Sequence, residues 1–274
     1  MSYRQKHIHP KIKKLKGRKL IVKSRLFWIC LCVVTIIGVG GYGILFYSKF
    51  QVAIIEISGN ETIKSEDIER FVASEIHRKI LSAGILNISS KSIFIVDTTK
   101  MASLALHQFP GIEKVEVQKK MPNTMALKIT ERKAFAEFCE RQSDDTDTCF
   151  LLDENGIIFE LTQGGMQDMI IVRAEGDKEI FAGSNIIEKN MAEAIAKIQK
   201  NLKNHFQIDV KEAFVSNPLV FNTSENWKIY FDPTSSIDLQ ITKMNALLNN
   251  EIPVSGRKNL QYIYLQYKDR AYYK

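Results

Sequence analysis

Residues 26–47 read LFWICLCVVTIIGVGGYGILFY and hold no charged side chain in 22 positions. Coiled as a helix rising about 1.5 Å per residue, the run is about 33 Å long, enough to cross a hydrocarbon core of about 30 Å. It divides the chain into parts that lie on opposite sides of a membrane. Residues 1–25 carry ten Lys or Arg and no acid; without those ten, 28 basic residues face 31 acidic ones, and the net charge falls from +7 to about −3. The basic character therefore belongs to a tail. Only Lys49 flanks the other end of the run, so the charge asymmetry predicts a cytoplasmic tail, a single pass and an extracytoplasmic remainder from residue 50. A cleaved signal peptide competes with this reading, but the run exceeds a signal h-region and no A-x-A site follows it. The tail either only sets topology or also binds anionic headgroups or nucleic acid. It lacks the aromatic interleaving of a base-stacking surface, so no nucleic-acid partner is expected; His7 and His9 make only a weak metal pair. Gly38, Gly40, Gly41 and Gly43 form no G-x-x-x-G pair, so the run carries no clear dimer signal.

From Phe50 the hydrophobic period changes several times. FQVAIIEISGN reads as a strand closed by Gly59 and Asn60. SEDIERFVASEI places Ile68, Phe71, Val72 and Ile76 at helical spacing behind a capping Ser65. After an irregular stretch, a helix starts at a capping Asp97, carries Met101, Leu104, Ala105 and Gln108 on one stripe, and stops at Pro110 and Gly111. Two alternating strands follow. Val115 and Val117 point one way against Lys114, Glu116 and Gln118, and Met125, Leu127 and Ile129 alternate with Ala126, Lys128 and Thr130. MPN supplies the turn between them.

The order β-α-α-β-β over residues 50–132 looks like a POTRA domain. ISGNETIKSEDIERFV and SIFIVDTTKMASLALHQFPGIEKVEVQKKMPNTMALKITERKAFAEF resemble the variant in the bacterial cell-division proteins FtsQ and DivIB. The shared phrases are the GN turn, a helix ending at a proline, a Pro-x-Thr hairpin and the closing Glu131-Arg132. Phe109 stands for the usual Leu before Pro110, and Gly111 and Ile112 stand for an aromatic and Val.

Residues 133–274 read as a second, β-rich domain. AFAEFCERQSDDTDTCFLLDENGIIFEL gives a hairpin with an acidic tip, a turn at Glu154-Asn155-Gly156 and a further strand. Ile187, Met191, Ala194, Ile195, Ile198 and Leu202 mark a helix over about 186–204. KEAFVSNPLVFN and NWKIYFD form a strand pair; Ile237, Ile241, Met244, Leu247 and Leu248 mark another helix; YIYLQY closes as a strand. This arrangement is similar to the β domain that follows POTRA in FtsQ and DivIB, with LLDENGIIF the most recognisable phrase. Tyr264 and Gln266 replace an Asp and an Arg of the family's final strand. The fold class is α+β: one transmembrane helix at 26–47, a POTRA domain and a mixed β-rich domain with an antiparallel sheet and two helices.

Most catalytic signatures are missing from the sequence. It holds no H-E-x-x-H, G-x-S-x-G or P-loop, and no dinucleotide fingerprint between a strand and a helix, the G-x-G-x-x-G spacing of Gly38, Gly40 and Gly43 falling inside the apolar run. Past the apolar run only His77, His107 and His205 remain. No cofactor, metal, catalytic residue or small-molecule substrate is expected. Asp144, Asp145 and Asp147 resemble a calcium loop but lack its Gly and distal Glu. Cys30 and Cys32 lie in the apolar run. Cys139 and Cys149 flank the acidic tip on neighbouring strands, where an oxidising compartment makes a disulfide plausible and two free thiols are the alternative. Closing so short a loop is worth about 2–3 kcal/mol.

The resemblance implies a non-enzymatic divisome scaffold at the septum of the plasma membrane. It joins early and late division proteins and regulates septal wall synthesis, binding partners of the FtsB/FtsL (DivIC) type through its last strand and others through POTRA. Alternatives are a POTRA-containing polypeptide assembly or secretion factor, which calls for tandem modules and a barrel, and a membrane-anchored wall enzyme, which calls for a polar cleft with perturbed carboxylates. In QYIYLQY, Ile263, Leu265 and Tyr267 share one face, and Tyr262, Tyr264 and Gln266 the other. An edge strand at 262–267 is expected to accept a partner strand, with Tyr262 and Tyr264 packing on it and Lys268 and Arg270 at the rim. A strand buried between two others is the alternative.

Overall fold

The computed structural model describes residues 25–83, 86–141, 147–166, 169–174 and 180–274, with backbone alone for 78–83 and 86–89. The tail ahead of Arg25, and Asp144 and Asp145 of the hairpin tip, lie outside the described residues. Helix α1 (Arg25–Phe46) is long and apolar enough to cross a membrane, and none of it is buried.

Three strands and two helices make the first core. Strand β1 (Ile54–Ser58) runs parallel to β5 (Thr124–Glu131), which pairs antiparallel with β4 (Ile112–Lys120). Helices α2 (Ser65–Ile76) and α3 (Thr98–Gln108) cover one face of this sheet. The apolar residues read from the two periods meet there: Ile68, Val72, Ile76, Met101 and Ala105 pack on Ile112, Val115, Met125, Leu127 and Ile129. Asp97 caps α3 by accepting the Lys100 N–H at 3.0 Å. Ser65 does not cap α2; it lies in the first turn, and its hydroxyl accepts from Asn60 Nδ2 at 2.9 Å. The stretch expected to be irregular holds a hairpin, β2 (Arg78–Ala83) with β3 (Leu86–Ser90), so the order is β-α-β-β-α-β-β.

The GN turn and the closing Glu131 are connected. Gly59 sits at φ +83°, and a Cβ there would fall 2.2 Å from Ile129 O, so only glycine fits. The turn brings the amides of Glu61, Thr62 and Ile63 to the Glu131 carboxylate at 2.8–3.1 Å. Burial alone would raise the Glu131 pKa, but these amides outweigh it and hold the carboxyl below its usual range.

The second core lies under a nine-stranded sheet. In chain order its strands are β6 (Ala134–Arg141), β7 (Asp147–Asp153), β8 (Ile158–Thr162), β9 (Ile170–Ala174), β10 (Val210–Val215), β11 (Leu219–Thr223), β12 (Lys228–Phe231), β13 (Tyr262–Tyr264) and β14 (Tyr272–Tyr273). In space they run β14-β13-β12-β11-β10-β9-β6-β7-β8. Helices α4 (Lys189–Phe206) and α5 (Ile237–Asn250) give Ile195, Ile198, Leu202, Ile241, Met244 and Leu248 to one face, against Phe138, Val172, Ala213, Phe221, Ile229 and Ile263. KEAFVSNPLVFN is itself a hairpin, β10 with β11, so the expected strand pair is three strands. Strands β9 and β14 had no sequence counterpart.

The two cores meet through the residues next to Glu131. Arg132 donates from Nη1 to Asp153 Oδ2 at 2.6 Å and from Nε to Pro110 O at 2.9 Å. Asp153 Oδ1 accepts the Asn155 and Ile157 amides at 3.0 and 2.9 Å. Gly156 needs its φ of +79°, since a Cβ would lie 2.0 Å from Ile187 O. ER and LLDENG thus form one junction.

Candidate functional site: the helix-free face of the large sheet

Alternation along each strand sends the second set of side chains away from α4 and α5. Strand register aligns them across the sheet: Tyr264 opposite Tyr230, Tyr230 opposite Val220, Val220 opposite Phe214, and Phe214 opposite Arg173. A concavity of about 660 Å³ opens along this row, lined by Cys139, Arg141, Arg173, Phe214, Val220 and Tyr230. Its floor is apolar and aromatic. Its polar wall is an ion-pair cluster in which Arg173 reaches Asp147 at 2.8 Å and Glu212 at 2.6 Å. Hydrogen bonding to Arg173 holds the Asp147 carboxyl below its usual range against a smaller opposing effect of burial, and the same contact keeps Arg173 charged. Asp147 therefore belongs to an ion pair.

Cys139 and Cys149 are cross-strand partners at the end of the row, their Cα atoms 4.2 Å and their sulfurs 2.05 Å apart. Glu137, on the same face, is fully buried; its carboxylate accepts from Thr162 Oγ1 at 2.8 Å and from the Met166 amide at 3.0 Å. These bonds satisfy polar atoms that would otherwise be costly to bury.

The opposite end of the row holds the predicted partner residues, and the structure divides them. Tyr262 and Tyr264 lie on the helix-free face, with ring centroids 4.7 Å apart and Tyr264 stacked at 4.3 Å on Tyr230. Desolvation, then the neighbouring Tyr230, raises the Tyr264 pKa. Gln266 and Lys268 instead line a notch of about 270 Å³ beside α5, with Leu239 and Lys243. Arg270 donates to the Tyr272 hydroxyl at 3.3 Å. Two expectations need correction. Strand β13 ends at Tyr264, because Lys243 Nζ takes the Leu265 and Tyr267 carbonyls at 2.9 and 2.6 Å, so Tyr267 turns outward and stacks on Tyr272 at 5.2 Å. Nor is β13 the edge: it lies between β12, parallel, and β14, antiparallel.

Tyr230, Val220, Phe214 and Arg173 were not singled out in the sequence. The alternation of NWKIYFD, with Ile229 and Phe231 inward, is the signal that could have found Tyr230. Among the described residues no group of three or more His, Cys, Asp or Glu could hold a metal.

Residues 50–132 match the family model of the POTRA domain, FtsQ-type. No curated protein matches the chain. Residues 50–132 are thus an FtsQ-type POTRA domain, which supports the likeness to the FtsQ and DivIB proteins.

Proposed function

We propose that the chain is a non-enzymatic scaffold of the bacterial division machinery, held at the septal plasma membrane by α1 with its tail in the cytoplasm and residues 50–274 outside. The observation that carries this reading is an FtsQ-type POTRA domain directly behind an apolar helix of membrane-spanning length. POTRA binds other division proteins. The β12–β14 end of the second domain takes a strand from a membrane-anchored partner of the FtsB/FtsL (DivIC) type. In the concavity Asp147 is held below its usual range, the reverse of what a general acid needs.

Strand β14 is a placeholder for that partner. It covers β13 with two residue pairs, Ile263 with Tyr273 and Tyr264 with Tyr272. A longer strand in its place makes more backbone hydrogen bonds and sets its side chains on Tyr262, Tyr264 and Tyr230. Three chains captured from membranes test this: the wild type, the full-length Tyr264→Lys variant and a chain ending at Arg270. The wild type retains the coiled-coil division partners, the shortened chain retains at least as much, and Tyr264→Lys loses them while keeping its fold. Undiminished capture by a folded Tyr264→Lys variant overturns the assigned site, and a wild type that retains no division protein overturns the function.

A further inference from the structure

Three stretches meet at the end of the POTRA domain from which α1 departs: residues 47–53, residues 90–94 and the β4–β5 turn. Backbone hydrogen bonds lock them together, from Val52 N–H to Lys91 O at 3.0 Å, Ile93 N–H to Phe50 O at 2.9 Å and Ala53 N–H to Asn123 O at 2.9 Å. The last turn of α1 is tied to the same place. Ser92 Oγ donates to Ile44 O at 2.7 Å, Gln51 Nε2 to Leu45 O at 2.7 Å, and Ser90 Oγ also reaches Leu45 O. These donors satisfy carbonyls that a helix end leaves open, and they fix the direction of α1 relative to the domain.

The surface so placed has a definite chemistry. Tyr47, Phe50 and Phe94 stack edge to face, with centroids 5.9 and 5.3 Å apart, yet Tyr47 is 51% and Phe94 44% exposed. Met121, at the turn, is 58% exposed. Lys49, Lys91, Lys119 and Lys120 surround them; Lys119 Nζ donates to Phe94 O at 3.4 Å, and Lys120 pairs with Glu56 at 2.6 Å. Residues 47–53, 90–94 and 119–123 contain no acid. Exposed aromatic rings one turn past the end of an apolar helix, ringed by lysines, match the headgroup layer in depth, polarity and charge.

We propose that this foot of the POTRA domain seats on a bilayer containing anionic lipid, with Tyr47, Phe94 and Met121 at headgroup depth and the four lysines against lipid phosphates. The inference rests on the reading of α1 as a membrane span. Seated in this way, the domain stands on the membrane at one angle, where a free linker would leave it tethered.

The test uses the full chain in vesicles of phosphatidylcholine and phosphatidylglycerol brominated near the headgroup. In the wild type, Trp28 reports on α1, while Trp227 is buried in the large sheet. In the Trp28→Phe, Phe94→Trp variant the new indole reports on the foot. We expect bromine to quench both Trp28 and the indole at 94 at least twofold. Quenching at 94 weakens when Lys49, Lys91, Lys119 and Lys120 are replaced by Gln, when phosphatidylglycerol is left out, or when salt is raised. Quenching of Trp28 without quenching at 94 overturns the seated foot and leaves the anchor intact. Absence of quenching at both positions overturns the anchor and the foot together. Quenching at 94 that ignores lysine, lipid charge and salt overturns the electrostatic part.

Discussion

Replacing Arg132 with Ala tests the junction between the two cores most directly. The pair with Asp153 is nearly dry, with the two side chains 12% and 4% exposed. Without the guanidinium, Asp153 Oδ1 keeps the Asn155 and Ile157 amides, but among the described residues Oδ2 keeps only Asn155 Nδ2 at 3.4 Å, and Pro110 O loses its Nε donor. Stranding one charge of a buried pair costs about 3–5 kcal/mol. Water entering from the junction relaxes the cost toward the lower bound, so about 3 kcal/mol is expected. For a unit of this size that lowers the melting temperature by about 6–12 °C. Arg132→Met combined with Asp153→Asn removes both charges and keeps an acceptor for the turn amides, so it recovers most of the loss. Thermal unfolding of the wild type, the single variants and the pair, followed by circular dichroism, measures all of this. A loss under about 1 kcal/mol for Arg132→Ala, or a double variant no better than the sum of its singles, would refute a desolvated, coupled pair.

Glu131 has a depressed folded-state pKa, so its contribution is present above the unfolded carboxyl pKa of about 4.3 and fades as pH falls through the folded value; Glu131→Gln should flatten the acid limb of a stability–pH curve below about pH 4.5, and an unchanged limb contradicts the three-amide cradle. Cys139 and Cys149 should appear as a linked peptide pair in non-reduced mass spectrometry, whereas alkylation of both without reductant counts against the bond. Protease added outside spheroplasts should digest residues 50–274 and spare the tail; protection of the large fragment reverses the topology and removes the division reading with it.

Some of this architecture could be read from residues alone. The run in α1, the stripes of α4 and α5 and the alternation of β4 and β5 each repeat long enough for one period to dominate. The misses share a physical cause. Strand β9 offers only Ile170, Ile171 and Val172 as an apolar run, too short for strand and helix periods to be told apart. Strand β14 is two tyrosines held by pairing with β13, and the β2–β3 hairpin has no strong turn dipeptide. The concave row was illegible for another reason. Tyr264, Tyr230, Val220, Phe214 and Arg173 come from five strands, and only register brings them together. By contrast, Tyr262 and Tyr264 were legible because alternation within a single strand sets the face they occupy.

The sheet also acts as a ruler. Asp153, at the POTRA junction, ends β7, and Tyr264 ends β13; the strands between run β6, β9, β10, β11 and β12. Six interstrand steps of about 4.8 Å separate the junction from the proposed docking strand by about 29 Å across the sheet. Backbone ladders hold that span, so it cannot shorten without breaking hydrogen bonds. A partner that touches POTRA and also adds a strand beside Tyr264 needs a rigid arm of matching length, roughly 19 residues of helix. Under the proposed docking, an arm shorter than this permits one contact or the other, and the width of the sheet would then sort partners by reach.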